Sequence, residues 1–313
     1  MSTTRRFAVA GESLLDIVVG SDGSTTRSVG GSPLNVAVGL ARLEVPSLLV
    51  TRLGDDDAGA TVQEYLDASG VLLAPEAVVA GTTTSTATAR LGAGNAADYD
   101  FDLTWDLAPT ELSADALGLH IGSLGATLLP GRDAVLDLVR QALVLDVFVS
   151  YDPNVRPRFV TEPEAEWRQM VELAGRARLV KVSDEDLHAL RPDADVDGLV
   201  AELLTGPETE LVVVTWGNRG ATAYTRRMSV HTDAVPVDVV DTVGAGDAFM
   251  AAVLAALVDW EATTAGPGAL RGLGEHHVRT LLDGALLAAA VTCSRRGANP
   301  PTRQELPTTW PAR

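Results

Sequence analysis

The sequence predicts an α/β fold of three layers, a central mostly parallel sheet between helices, with a small second β sheet beside it. Three observations predict it. Short aliphatic runs alternate with helical patterns along almost the whole chain. The runs are apolar throughout, as strands buried on both faces are. Two segments break that rule, alternating polar with apolar residues and carrying many threonines.

In chain order, strands are expected at Phe7–Ala10, 47–52, 143–151, 179–182, Leu211–Thr215 and 235–240. Helices are expected at 35–43, 58–69, 131–143, 164–177 and 195–204, then in the alanine-rich stretches 248–260 and 278–293. The two alternating segments are 12–27 and 82–106, with 92–95 as a turn. They read as antiparallel strands of a separate sheet. They flank the first helix, so they suit a lid, at about 12–30 and 82–106, inserted in one domain spanning 1–313. Residues 263–268 and 300–309, rich in Pro, Gly and Thr, read as a surface loop and a tail.

Composition excludes several classes. The formal charge is −18, without the basic footprint of a nucleic-acid binder or the polybasic cluster of a membrane-surface protein. No apolar run is long enough to span a bilayer. Glu12 and Asp16 interrupt the apolar N-terminal stretch and no cleavage site follows, so a signal peptide is not expected and a cytoplasmic location is. A single cysteine, Cys293, rules out an intrachain disulfide, and the five histidines form no metal-ligand spacing. Lys181 is the only lysine and lies in no GxxxxGK[ST] string, so this chain has no P-loop.

The polar residues fall where an open α/β sheet binds its ligands, at the carboxyl ends of the strands. Gly11, Glu12 and Asp16 follow the first strand. Asp152, Asn154 and Arg156 follow the strand at 143–151. Ser183 to Asp186 follow the next, Thr215, Gly217 and Gly220 the one after, and Asp241 the run 235–240. This pattern points to one long crevice.

Two motifs stand out. Asp241-Thr242-Val243-Gly244-Ala245-Gly246-Asp247 leads into a helix of small and apolar residues. Its glycines permit a backbone path that aims successive N–H groups outward at a helix start, a site for an anion. Asp247 beside it can accept a proton from an attacking hydroxyl. The purely structural reading is a Gly-rich turn with Asp247 as N-cap. Gly30-Gly31-Ser32-Pro33-Leu34-Asn35 also opens a helix. The glycines let a ligand approach the backbone, and the Asn35 amide suits a polyol hydroxyl. Helix capping by Asn35 or Ser32 is the alternative.

Together these motifs resemble the two signatures of the PfkB, or ribokinase-like, carbohydrate kinases. They lie in the expected order, and GESLLD, DPNVRPR, KVSDEDL and TWGNRGA between them match further landmarks, most like the fructokinase-like branch. The resemblance implies a ribokinase-like fold with a β lid and an ATP-dependent sugar kinase needing Mg²⁺ and, in many relatives, K⁺. It implies Asp247 as catalytic base and the backbone of Gly244, Ala245 and Gly246 as anion hole. Asp16, Gly30, Gly31 and Asn35 would hold the sugar, with Asp152 and Arg156 beside it. Thr215, Gly217, Asn218, Gly220 and Lys181 would line the nucleotide. Asp241 and the carbonyl of Val243 match a monovalent-cation site.

Departures from the pattern are local. Ser183 and Asp186 replace a family Asn and Glu that organise Mg²⁺ through water, and Glu185 is a possible stand-in. Glu44 ends the first signature's helix where a small residue is usual. Lid residues Arg90, Tyr99 and Phe101 are the expected selectors among fructose, 2-keto-3-deoxygluconate, ribose and nucleoside acceptors. Low aromatic content disfavours a nucleoside. The absence of GxGxxG after the first strand disfavours a nicotinamide-dependent oxidoreductase, and retention of Asp247 disfavours a non-catalytic sensor. The lid strands also suit pairing between subunits in a homodimer.

Overall fold

The computed structural model describes residues 4–20, 22–91 and 97–311. In chain order the described elements are β1 (Phe7–Ala10), β2 (Leu14–Val19), β3 (Thr25–Gly30), α1 (Ser32–Arg42), β4 (Ser47–Val50), β5 (Leu53–Gly54), α2 (Asp57–Ala68), β6 (Leu72–Leu73), β7 (Val78–Val79), β8 (Thr86–Leu91) and β9 (Ala97–Asp102). Then come β10 (Gly118–Gly122), α3 (Gly131–Val144), β11 (Val149–Asp152), α4 (Pro163–Ala174), β12 (Leu179–Ser183), α5 (Asp184–Leu190), α6 (Val196–Leu203), β13 (Leu211–Thr215), β14 (Ala221–Tyr224), β15 (Ser229–Thr232), α7 (Ala245–Asp259) and α8 (Glu275–Cys293).

A nine-stranded sheet has the order β15-β14-β13-β12-β11-β10-β1-β4-β6. It is parallel from β13 to β6, and β14 and β15 add an antiparallel edge. Alternate strand residues feed two cores. Phe7, Val9, Leu179, Leu211 and Val213 pack with α1, α7 and α8. Ala8, Ala10, Val180, Val182, Val212 and Val214 pack with α3, α4, α5 and α6. That is the three-layer arrangement expected. A four-stranded sheet, β3-β2-β8-β9, stands apart at the carboxyl ends of the large sheet's strands.

Several expectations need correction. Residues 143–151 are not one strand: α3 runs to Val144, Asp146 turns at φ 53°, and β11 begins at Val149. The apolar residues 143–145 lie exposed at the helix end, and their hydrophobicity merged two elements into one. Residues 235–240 run extended without a ladder partner, and Val235, Val237, Val239 and Val240 remain exposed. Asp241 therefore does not end a strand. The small sheet is not wholly antiparallel, since β2 and β8 pair in parallel. The turn expected at 92–95 lies outside the described residues. The stretch 300–309 is no loose tail: Leu306 is buried, and Trp310, just beyond, packs where a Cβ on Gly284 would lie 1.6 Å from its ring. Strands β10, β14 and β15 and helix α5 were not expected.

Helix α1 ends in a Schellman turn. The Val45 amide donates to the Leu40 carbonyl at 2.9 Å and the Glu44 amide to Ala41 at 3.0 Å. Glu44 itself sits at φ 66°, a left-handed conformation that favours glycine. Relieving it at this exposed site is expected to outweigh the entropy that glycine adds to the unfolded chain. Glu44→Gly should stabilise the fold by about 1 kcal/mol, read as a higher denaturant midpoint at unchanged m-value.

Candidate active site

The motifs meet because α1 and α7 pack closely. A Cβ on Gly39 would fall 2.5 Å from the Ala251 Cβ, so only glycine lets the helices approach this near. Their N-termini then converge. Asp247, at the third position of α7, is 8% exposed. Ser32 Oγ donates to its Oδ1 at 2.6 Å and Asn35 Nδ2 to its Oδ2 at 2.8 Å. Burial pushes its carboxyl above the ordinary range, and these two hydrogen bonds oppose that. Asp247 is therefore not the N-cap. That position belongs to Gly244, at φ 76° and pressed against Ala298, where a Cβ would be 2.5 Å from the alanine's own. The amides of Gly246 and Asp247 lie in the first turn, with no preceding helical carbonyl to bond.

Ser32 does not cap α1 either. Gly31 does, at φ 113°, where a Cβ would be 2.4 Å from the Glu12 carbonyl oxygen. Ser32 as a hydrogen-bond partner of Asp247 is what sequence reasoning missed. Its place directly before Pro33, inside the helix, was the available signal. Asn35 Oδ1 remains buried without a hydrogen-bond partner, ready to accept from a hydroxyl.

Lys181 lies beside this point, since a Cβ on Gly246 would be 3.1 Å from its Nζ. Its ammonium pairs with Asp152 Oδ2 at 2.8 Å, with the two side chains 6% and 1% exposed. Burial alone would lower the Lys181 pKa. Asp152, Asp186 and Asp247 reverse that and raise it. One layer below, His120 Nδ1 lies 3.0 Å from Ser150 Oγ. Burial, aided by the Lys181 charge, drops the His120 pKa to about 3, so this ring stays neutral.

Asp186 is buried, and Ser183 with Asp186 forms the capping box of α5. The Asp186 carboxylate accepts from the Val155 amide at 2.7 Å and the Ser183 amide at 2.9 Å. Glu185, beside it, is exposed. Among the described residues no cluster of three or more His, Cys, Asp or Glu is arranged to hold a metal directly. Asp152 Oδ1 is buried and has no hydrogen-bond partner.

On the acceptor side, Asp16 of β2 is half-buried, and a Cβ on Gly30 would meet its Oδ2 at 2.3 Å. Burial pushes the Asp16 carboxyl up to about 6 against the pull of Arg156. Glu12, more deeply buried, is pushed to about 7. Its Oε2 accepts the Gly125 amide at 2.7 Å. Arg156 is exposed and folds back on Asn154. Asp16, Ala87 and Phe101 are paired neighbours across β2, β8 and β9, so they share a face. Arg90 lies on the other face, which removes it as a selector. The Tyr99 side chain lies outside the described residues. The Phe101 ring meets Phe159 edge-on at 5.5 Å, and the Arg158 guanidinium sits 4.8 Å over it. The small sheet thus touches the loop after β11 across the crevice. A cavity of about 70 Å³ lies behind that loop, lined by Ser123, Tyr151, Asn154, Arg156, Phe159 and Glu166 among others.

Farther along, Thr215 ends β13, and a short turn, Gly217–Arg219, follows. Gly217 has φ 57° with open space at its Cβ, and Asn218 is exposed. Gly220 has a structural reason to be glycine, since a Cβ there would lie 2.0 Å from the Thr232 carbonyl. Asp241 Oδ1 accepts the Val243 amide at 3.0 Å and Oδ2 the Gly297 amide at 2.9 Å. These bonds hold its carboxyl below the usual range and tie the 241–243 loop to the end of α8.

This arrangement offers a buried carboxylate base, free amides at a helix start and an ammonium within one small space. Those are the parts of phosphoryl transfer to a hydroxyl. Comparison with known proteins agrees. The model of the pfkB family carbohydrate kinases matches residues 4–305. The chain is 31% identical to "Probable fructokinase-4" of Arabidopsis thaliana, covering 95% of this chain and 94% of that protein. The fold is shared with a fructokinase from Xylella fastidiosa solved with bound ATP, at TM-score 0.82 and 24% identity over 94% of this chain and 93% of that one. It is shared as well with a fructokinase double mutant from Vibrio cholerae solved with fructose, ADP and potassium, at TM-score 0.75 and 24% identity over 95% of both chains. With its two signatures joined at Asp247, the chain belongs to the pfkB family of carbohydrate kinases, phosphotransferases that act on a sugar hydroxyl.

Proposed function

We propose that this enzyme transfers the γ-phosphate of ATP to a hydroxyl of a fructose-like sugar, with Asp247 as the base. The observation that carries the reading is the Asp247 carboxylate, buried at the start of α7 and held by Ser32 and Asn35. The sugar lies between the small sheet and α1. Asp16 and Asn35 Oδ1 accept its hydroxyls, Gly30 and Gly31 let it approach the backbone, and Arg156 faces it from the loop after β11. Asp247 takes the proton of the attacking hydroxyl. The amides at Gly244 and Gly246 and the Lys181 ammonium face the charge that develops on the phosphoryl oxygens, whereas the Ala245 amide donates to the Thr242 carbonyl at 3.2 Å. Thr215, Gly217, Asn218 and Gly220 line the nucleotide.

The residues present fit Mg²⁺ held through water rather than directly, by Asp186 with Ser183 and by the unpartnered Asp152 Oδ1. The ion supplies neutralisation of the ATP phosphates. Asp241, kept ionised, and the carbonyl of Val243 suit K⁺. The small sheet acts as a lid, closing where Phe101 meets Phe159 and excluding water from the transfer. The exposed edge of β3 suits pairing with a second copy, which sedimentation would register as a dimer.

The test is ADP release with Mg²⁺ and K⁺ from fructose, ribose, 2-keto-3-deoxygluconate and adenosine, with Asp247→Asn as control. Fructose-dependent release lost in the variant supports the reading. Release with another acceptor alone reassigns the sugar, and none at all overturns the fructose-like acceptor. The Asp16 carboxylate accepts hydroxyls most strongly when ionised, and burial pushes its pKa up to about 6. As pH falls through that value the group protonates, so kcat/KM for the acceptor should fall on the acid side. Asp16→Asn should lower kcat/KM and remove the part of that limb due to Asp16, leaving the part due to protonation of Asp247, which a pH profile of both proteins checks.

A further inference from the structure

The small sheet joins the large one through residues 11–13, 30–31, 80–85 and 103–106. Two adjacent residues just after β4 reach three of these four crossings. Thr51 and Arg52 are 2% and 3% exposed. Thr51 Oγ1 donates to Ser13 Oγ at 2.9 Å, in the first crossing. Arg52 Nη1 donates to the Thr83 carbonyl in the third, and its Nε forms an ion pair with Asp106 Oδ1 in the fourth, 2.8 Å apart but without hydrogen-bond geometry. The next residues continue the grip. The Gly54 amide donates to Thr84 Oγ1 at 2.9 Å, and Asp56 accepts from the Thr84 amide at 3.0 Å and hydroxyl at 2.7 Å. The third and fourth crossings are also tied together, because Ser85 Oγ accepts the Thr104 amide and donates to its carbonyl, both at 3.0 Å.

We propose that Thr51–Arg52 is the anchor that couples the small sheet to the α/β body, and that Arg52 is a positioning residue for the acceptor. Arg52 touches no part of the acceptor site. It sets the angle at which Asp16 and Phe101 are presented to Asn35 and Asp247. A buried guanidinium is costly unless it is well paired, and an apolar side chain would fill the same space. Its partner Asp106 is 56% exposed, so the Coulomb gain is modest. What only Arg supplies is a planar charged head that meets the Thr83 carbonyl and the Asp106 carboxylate at once. The inference rests on the proposed lid reading.

The test uses Arg52→Met, which keeps the packing stem, with Arg52→Lys and Asp106→Asn. Asp106→Asn removes the same ion pair from its half-exposed end, so it carries the test where Arg52→Met does not fold. Expected is an acceptor KM raised about tenfold, with kcat and the KM for ATP changed by less than about threefold. Arg52→Lys should recover part of the loss. Unchanged acceptor KM in folded Arg52→Met and Asp106→Asn, or an equal rise in KM for ATP, overturns the proposal. Hydrogen exchange of β2 and β8 with fructose and ADP separates the two readings. No added protection in the native enzyme sinks the lid reading itself. Protection that is equal in native and Arg52→Met enzymes sinks only the anchor.

Discussion

Asp247→Asn is expected to lower kcat by about 10²–10⁴-fold while leaving the enzyme folded, which turnover and thermal unfolding of the same preparation would show. The fold survives because the asparagine can turn to suit its neighbours. Its oxygen accepts from Asn35 Nδ2, and its amide donates to Ser32 Oγ, which accepts as readily as it donates. Stability should not fall. Burial raises the Asp247 pKa, so the ionised form weakens the folded state at neutral pH, and the neutral amide removes that burden. Chemistry suffers because an amide cannot take the proton. Turnover within a few-fold of native would remove Asp247 as the base.

Lys181→Met is expected to cost about 3–5 kcal/mol of folding stability, the largest effect among single changes at the site. The pair with Asp152 is buried at both ends, so removing the ammonium strands a carboxylate out of water. Asp186 and Asp247 share the same space, and the Lys181 charge holds down the pKa of both. Without it both rise further. A group whose pKa is raised in the folded state binds its proton more readily there, so stability recovers as pH falls toward that pKa. The deficit of the variant should therefore shrink as pH is lowered from about 8 to about 5, read by urea denaturation at each pH. A constant deficit would mean that lost packing, not stranded charge, is the cause. Lys181→Met/Asp152→Leu, which removes both charges, should lose less than the single change.

The parallel layer was legible because its strands are buried on both faces and read as unbroken apolar runs. Where that signal was diluted, reading failed. Gly118–Gly122 carries a glycine at each end and His120 at its centre, so it did not look like a strand. The exposed stretch 235–240 did look like one, since alternating valines mark the pattern whether or not a neighbour pairs with it. Arg90 showed the other limit. Its residue type suggests an acceptor contact, but parity along β8 puts it on the far face.

By itself the sequence determined the family and pointed to Asp247 as the candidate base. Gly244, Gly246 and Asp247 lie within one local stretch, and local geometry at a helix start follows from such spacing. Only the tertiary structure decided what surrounds that base. Ser32 and Asn35 reach it from more than two hundred residues away in the chain, 215 and 212 positions. Lys181 comes from a third region. Thr51 and Arg52 showed no motif at all, because their partners Ser13, Thr83 and Asp106 are scattered along the sequence. Side chains meet across such distances only through helix and sheet packing, and that information resides in the whole core rather than in any one segment of it.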